Sequence, residues 1–218
     1  MGAAQTDASI TRWKSESREL LVFDEDEASG NDKVHKYDLV PATFFISADS
    51  KNVQLSEPKI SVRFDSASYL KYSKGSIFTN SRAIITYDRS DPQVTETAQH
   101  IYDAQNNPDI TIPTKLGKKI PGAPSSTPLH RVFYDTALRV ANRNAAKVAC
   151  QSRWPGYGWN GKDCDECPFS STAEGASVGD YSARALDSKD NQKAGSQLAS
   201  WYSDERILDG DAFYVEVK

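Results

Sequence analysis

The sequence lacks any apolar run near the roughly 18–20 residues that a membrane-spanning helix needs, which excludes a helical membrane protein. The opening stretch, MGAAQTDASITRWKSES, lacks the basic, apolar and small-residue order of a signal peptide. It fits either a cytosolic protein or a chain whose export segment has been removed. Positive charge is also short. With 26 Lys+Arg against 30 Asp+Glu the formal charge is -4 and the pI about 5.4, which argues against a protein that holds nucleic acid by bulk positive charge. No internal repeat is present. What remains is 218 residues, 38% hydrophobic and 26% charged, with mean hydropathy -0.61. That balance fits a soluble globular protein able to bury a core without staples, and neither a disordered tail nor a membrane protein.

Charge is unevenly spread. Residues 1–113 carry 12 Lys+Arg against 17 Asp+Glu, 114–153 carry 8 against 1, and 154–218 carry 6 against 12. One basic band therefore lies between two acidic ones, either a phosphate-binding face or a solvated helix face.

The segments ELLVF, ATFFIS, KISVRF, SYLKY and RAIITY are short, rich in β-branched and aromatic residues, and bounded by turn formers. They predict a β-rich unit over residues 1–110. Alternation places Ile60, Val62 and Phe64 in a core, and Lys59, Ser61 and Arg63 in water. Pro108, Pro113, Pro121, Pro124 and Pro128, with Gly117 and Gly122, disfavour helix and central strand and predict a linker over 111–126. Beyond it, Phe133, Ala137, Val140, Ala141, Ala145 and Val148 share one helical stripe and predict a helix over about 131–149. Arg139, Arg143 and Lys147, spaced four apart, line one face of it. A second helix is expected from Asp190–Asn191 through Tyr202, and a strand at 213–217, so that 127–218 forms an α+β unit.

The densest polar chemistry lies in DCDECPFSSTAEGA. Asp163, Asp165 and Glu166 fall within four residues and Glu174 follows eight later, with few basic neighbours. Packing carboxylates this closely is unfavourable unless a cation or a shared proton relieves it, and a hard divalent ion is the simplest relief. An exposed acidic turn is the alternative. Asn191 is either a helix cap, in competition with Asp190, or an oxygen ligand for the same ion.

DCDECPFSSTAEGA resembles the signature of the NucA/NucB-type secreted bacterial deoxyribonucleases, an Asp-x-Asp-Glu-aromatic-Pro run followed by Glu-Gly. DNQKAGSQLASWY resembles their Asp-Asn-x-x-Ala-Gly helix start, RILDGDAFYVEV resembles their closing strand, and Asn142, Arg143 and Cys150 fit upstream. The resemblance covers about Thr127 to Val217. It implies a compact ββα-metal domain, behind a β-rich N-terminal one, in which two strands and a helix hold one divalent ion, Mg²⁺ or Mn²⁺, against the scissile phosphate of DNA. A carboxylate replaces the usual histidine base, in keeping with His35, His100 and His130 all lying outside the acidic cluster in sequence. Asp165 is then the base, with Glu166 as partner or ligand; Glu174 and Asn191 are metal ligands, and Asp163 orients the loop. Arg139, Arg143 and Arg184 are phosphate contacts, with Arg206 a further candidate. Cys167 departs from the family's aromatic. Three cysteines cannot all pair, and the spacing favours Cys150 with Cys164, leaving Cys167 free and buried; a zinc site through the Cys164–Cys167 pair is the competing reading.

The resulting expectation is a secreted, sequence-tolerant endodeoxyribonuclease acting on DNA without a membrane, its N-terminal part an accessory or delivery module with its own protein partner. The competing readings are a β-rich binding protein whose acidic loop holds Ca²⁺, and a toxin effector built on the same nuclease domain.

Overall fold

The structure, a computed structural model, describes residues 32–39, 43–46, 52–55 and 59–218. The ELLVF segment lies outside the described residues. The described part is α+β. Strands β1 (Val34–Leu39), β4 (Ile60–Asp65) and β5 (Gly75–Phe78) form an antiparallel sheet in the order β1-β4-β5, and β2 (Thr43–Ile46) pairs with β3 (Asn52–Leu55). Then follow β6 (Ile84–Tyr87), α1 (Thr95–Asn106), β7 (Leu129–His130), α2 (Thr136–Arg153), β8 (Lys162–Cys167), β9 (Ser182–Asp187), α3 (Ser188–Asp204) and β10 (Ala212–Val217). No helix among the described residues is long and apolar enough to cross a membrane.

The N-terminal half meets the C-terminal half through regular structure. β10 is the central strand of a three-stranded sheet, parallel to β6 and antiparallel to β7. Tyr87, Val94, Ala98 and Ile101 from the first half share one core with Leu198, Tyr202, Phe213 and Val215 from the second. Helix α1 is absent from the sequence-based reading. Its buried face is Thr97, Ala98, His100, Ile101 and Ala104, so two polar residues dilute the apolar periodicity that marks a helix.

The stretch expected as a linker is seated along the fold. Ala183 N donates to Ile112 O at 2.6 Å and Val215 N to Gly122 O at 2.7 Å. The buried Lys118 ammonium donates to the carbonyls of Thr111, Pro113 and Tyr181, and burial lowers its pKa. Thr111, Lys118 and Ile120 are buried within the stretch, while 113–117 are exposed.

Three local expectations are corrected. Residues 68–72 form turns and bends between β4 and β5. In β4, Arg63 is buried and Ile60 exposed, because the face expected in water docks on the turn after α3. There Arg63 Nη1 meets Asp211 Oδ2 at 2.5 Å, and Arg206 grips the buried Asp65, its Nε 3.0 Å from Oδ2. Finally, α2 buries Asn142, Ala146 and Cys150, while Val140 and Val148 are 57% and 70% exposed. The helix lies close against the β8–β9 hairpin, and that close approach selects small residues where larger apolar ones define the stripe read from sequence.

Candidate active site

The β8–β9 hairpin carries the acidic motif between two layers. Alternate residues of a strand face opposite ways. Accordingly Cys164 and Glu166 meet α2, through the Cys150 disulfide and the Arg143 guanidinium, while Asp163 meets Gln192 of α3 and Asp165 meets His100 of α1. The hairpin and α3 make the ββα unit that the resemblance implied. Cys150 and Cys164 are joined, which removes the zinc reading through Cys164. Cys167 is a buried free thiol, and burial pushes its pKa up, so it behaves as a small hydrophobe.

Asn142 and Gly175 fix the loop after β8. The fully buried Asn142 amide donates to Ser170 O and Thr172 O, and its Oδ1 accepts from Ser177 N at 3.1 Å. A Cβ on Gly175 would stand 2.1 Å from Asn142 Nδ2, so the Glu-Gly motif needs its glycine to admit that amide. Glu174 faces elsewhere. Its carboxylate accepts from His130 N at 2.9 Å and meets His130 Nδ1 at 2.7 Å, and it lies outside the cavity described next.

At the start of α3, Asp187 caps its own helix by accepting from Lys189 N and Asp190 N. Asp190 does not compete with Asn191 for that cap. It reaches α1 instead, accepting from Glu96 N at 2.8 Å, Thr97 N at 3.0 Å and Thr97 Oγ1 at 2.7 Å. One carboxylate from α3 thus satisfies orphan donors of α1, whose own N-cap, Val94, contributes no side-chain bond. Asn191 is freed from capping. Among the described residues its carboxamide takes no hydrogen bond.

Asp165, Glu166 and Asn191 line one cavity of about 430 Å³, together with Arg131, Arg139 and Arg143 and the rings of Tyr69, Phe133 and Tyr202. Three cationic side chains against two carboxylates suit an anionic ligand. Glu166 is buried, and its Oε1 accepts from Ser170 N at 3.3 Å. Burial raises its pKa against the pull of Arg143. Glu166, whose Oε2 is bound by Arg143 Nη1, and Asn191 are the carboxylate and carboxamide oxygen donors that this cavity offers to a hard divalent ion. Among the described residues no group of three or more His, Cys, Asp and Glu is gathered to hold a metal ion.

Two expected phosphate contacts lie elsewhere. Arg184 Nη2 donates to Asp103 Oδ2 at 2.8 Å and borders a different cavity, beside Trp154 and Lys162, and Arg206 is held by Asp65. Arg131, unnoticed in the sequence, is in the cavity wall, with its guanidinium 4.4 Å from the Tyr202 ring centroid. His100 is also missed. It is fully buried, with Nδ1 2.6 Å from Asp165 Oδ2 and Nε2 2.7 Å from Ser182 Oγ. The signal available for it was the Ala98–Ile101–Ala104 spacing ahead of Asn106-Asn107-Pro108, which marks a short helix and its end.

Residues 129–216, less than half of the chain, match the family model Deoxyribonuclease NucA/NucB. No curated protein matches the chain significantly. The matched segment begins at β7 and so contains the hairpin, α3 and the cavity's Arg131, Asp165, Glu166 and Asn191, while α1 with His100 precedes it.

Proposed function

We propose that this protein is a divalent-metal-dependent endodeoxyribonuclease that cleaves DNA with little regard to sequence. The observation that carries the reading is the convergence of Asp165, Glu166 and Asn191 on one arginine-lined cavity, within a segment that matches a deoxyribonuclease family. Glu166 and Asn191 would hold Mg²⁺ or Mn²⁺, which when bound would supply positive charge against the negative charge that builds on the phosphate. Arg139, and Arg143 through the part of its guanidinium not bound to Glu166 and Cys164 O, bind backbone phosphates, which are alike at every base pair, so contact with them carries no sequence information. Asp165 takes a proton from the attacking water as the water oxygen bonds to phosphorus. The P–O3′ bond then breaks, the electron pair leaves on the 3′ oxygen, and that oxygen collects a proton from solvent. Glu174, turned to His130, is left out of this set, and Asp163 ties β8 to α3 through Gln192.

The unit that carries the activity runs, in this reading, from β6 to β10, because β6 and α1 complete the core beneath the cavity. The buried Cys150–Cys164 disulfide supports secretion into an oxidising compartment. The test is plasmid cleavage by the full chain. Mg²⁺ or Mn²⁺ should yield nicked and then fragmented DNA, EDTA should abolish the activity, and excess Mg²⁺ should restore it. Cleavage that persists in EDTA would refute the metal dependence, and no cleavage with any divalent ion would refute the nuclease reading.

A further inference from the structure

His100 is a fully buried histidine that touches Asp165, one of the cavity's two carboxylates, and nothing in the proposed reaction uses it. It stands on α1, 65 residues before Asp165 and outside the segment that matches the nuclease family. We infer that His100, itself held in place by Ser182 Oγ, is a positioning residue for Asp165. The inference rests on the proposed function, in which Asp165 is the base.

An ionised carboxylate only accepts hydrogen bonds, so the contact with Asp165 Oδ2 assigns the imidazole proton to Nδ1, whichever way the Ser182 hydroxyl points. Ser182 Oγ at Nε2 closes the other end of the ring. Ser182 sits directly across from Cys167 in the β8–β9 ladder, so the imidazole bridges α1 to the strand pair that carries the base. The terminal torsion of an aspartate is soft and nearly two-fold, and a carboxylate at a cavity wall would otherwise present either oxygen at many angles. With Oδ2 held by Nδ1–H, Oδ1 is left to take the proton; among the described residues Oδ1 accepts no hydrogen bond. A histidine serving only to fill the core would have no need of this partner, since an apolar side chain in its place would fill the same volume.

The experiment compares His100→Leu, His100→Asn and Ser182→Ala in the full chain, with plasmid DNA and saturating Mg²⁺, after circular dichroism has shown each variant folded. Asparagine places its amide nitrogen where Nδ1 stood and so restores the donor to Asp165; leucine does not. His100→Leu should lose about 10- to 100-fold in kcat, as removal of the groups that orient a site's ligands does, with KM changed less than about twofold. His100→Asn should recover most of that loss. Ser182→Ala, the milder change, should lower kcat by about 3- to 10-fold and keeps the proposal testable if His100→Leu does not fold. In the metal-free wild-type protein, the Nδ1-bound proton of His100 should appear as a downfield NMR resonance that moves upfield in Asp165→Asn. Native kcat in folded His100→Leu or in Ser182→Ala would overturn the inference, as would equal loss in the leucine and asparagine variants. If the wild-type chain fails to cleave DNA at all, the nuclease reading falls first and takes this role with it.

Discussion

Asp65→Asn tests how firmly the N-terminal sheet is joined to the unit that holds the cavity. The Asp65 side chain is fully buried, and its two oxygens take Arg206 Nε and Nη2. Arg63 Nε stands 3.7 Å from the same carboxylate and is a buried nitrogen without a hydrogen-bond partner. The amide substitution keeps the shape and removes the charge, leaving Arg63 with Asp211 and Arg206 with no carboxylate partner among the described residues, its Nη1 still on Tyr72 O. Removing one partner of a buried charge network costs about 3–5 kcal/mol. For a chain of this length that is a fall in Tm of about 6–20 °C. The assay is urea and thermal denaturation followed by circular dichroism, with DNA cleavage measured at 25 °C on the folded variant. Cleavage should be unchanged, because Asp65 does not border the cavity. A loss below about 1 kcal/mol, the level of an exposed ion pair, would refute the reasoning and show that β4 contributes little to the stability of the cavity unit.

Two further predictions concern the hairpin and the cavity rim. Replacing Cys150 and Cys164 together by alanine releases a closed loop with a sequence separation of 14. It should cost about 3 kcal/mol by the chain-entropy relation, read as a lower urea midpoint; an unchanged midpoint would show that packing alone holds α2 to the hairpin. Arg139→Ala should raise KM for DNA with kcat nearly unchanged, and should reduce the slope of log affinity against log salt by about 1. An unaltered slope would place Arg139 away from the DNA backbone.

The site was legible in the sequence where its residues are contiguous, and obscure where they meet from a distance. Asp165 and Glu166 could be picked out because they are adjacent in a dense acidic run, and Asn191 because it stands near the start of a readable helix, α3, that follows directly on β9. His100 could not, since its helix carries only Ala98, Ile101 and Ala104 as apolar markers. Its partner is recognisable only once α1 is packed on β8. Glu174 and Arg184 had the right chemistry for their expected roles, yet each is engaged elsewhere, by His130 and by Asp103.

The fold divides in the same way. Strands β4, β6 and β10 announce themselves through β-branched and aromatic residues, whereas the buried face of α2 is Asn142, Ala146 and Cys150, none of which stands out in an apolar pattern. Prolines and glycines between 108 and 128 disfavoured helix, and the stretch holds no α-helix, only the single 3-10 turn Pro108–Ile110. They were silent on whether the strand-free chain would be seated, which Lys118 and its three carbonyls accomplish. Nothing in the sequence points Arg206, read as a candidate phosphate contact, or Asp211 toward β4, which supplies Asp65 and Arg63 from more than 140 residues away in the chain.

The most direct test of the account is single-turnover cleavage of duplex DNA by the wild-type chain and by Asp165→Asn, both in excess Mg²⁺ and both shown to be folded and to bind DNA. The account predicts that the amide variant retains DNA binding and loses cleavage by at least about 100-fold, within the range attributed to a positioned general base. Cleavage at the wild-type rate by folded Asp165→Asn would contradict it.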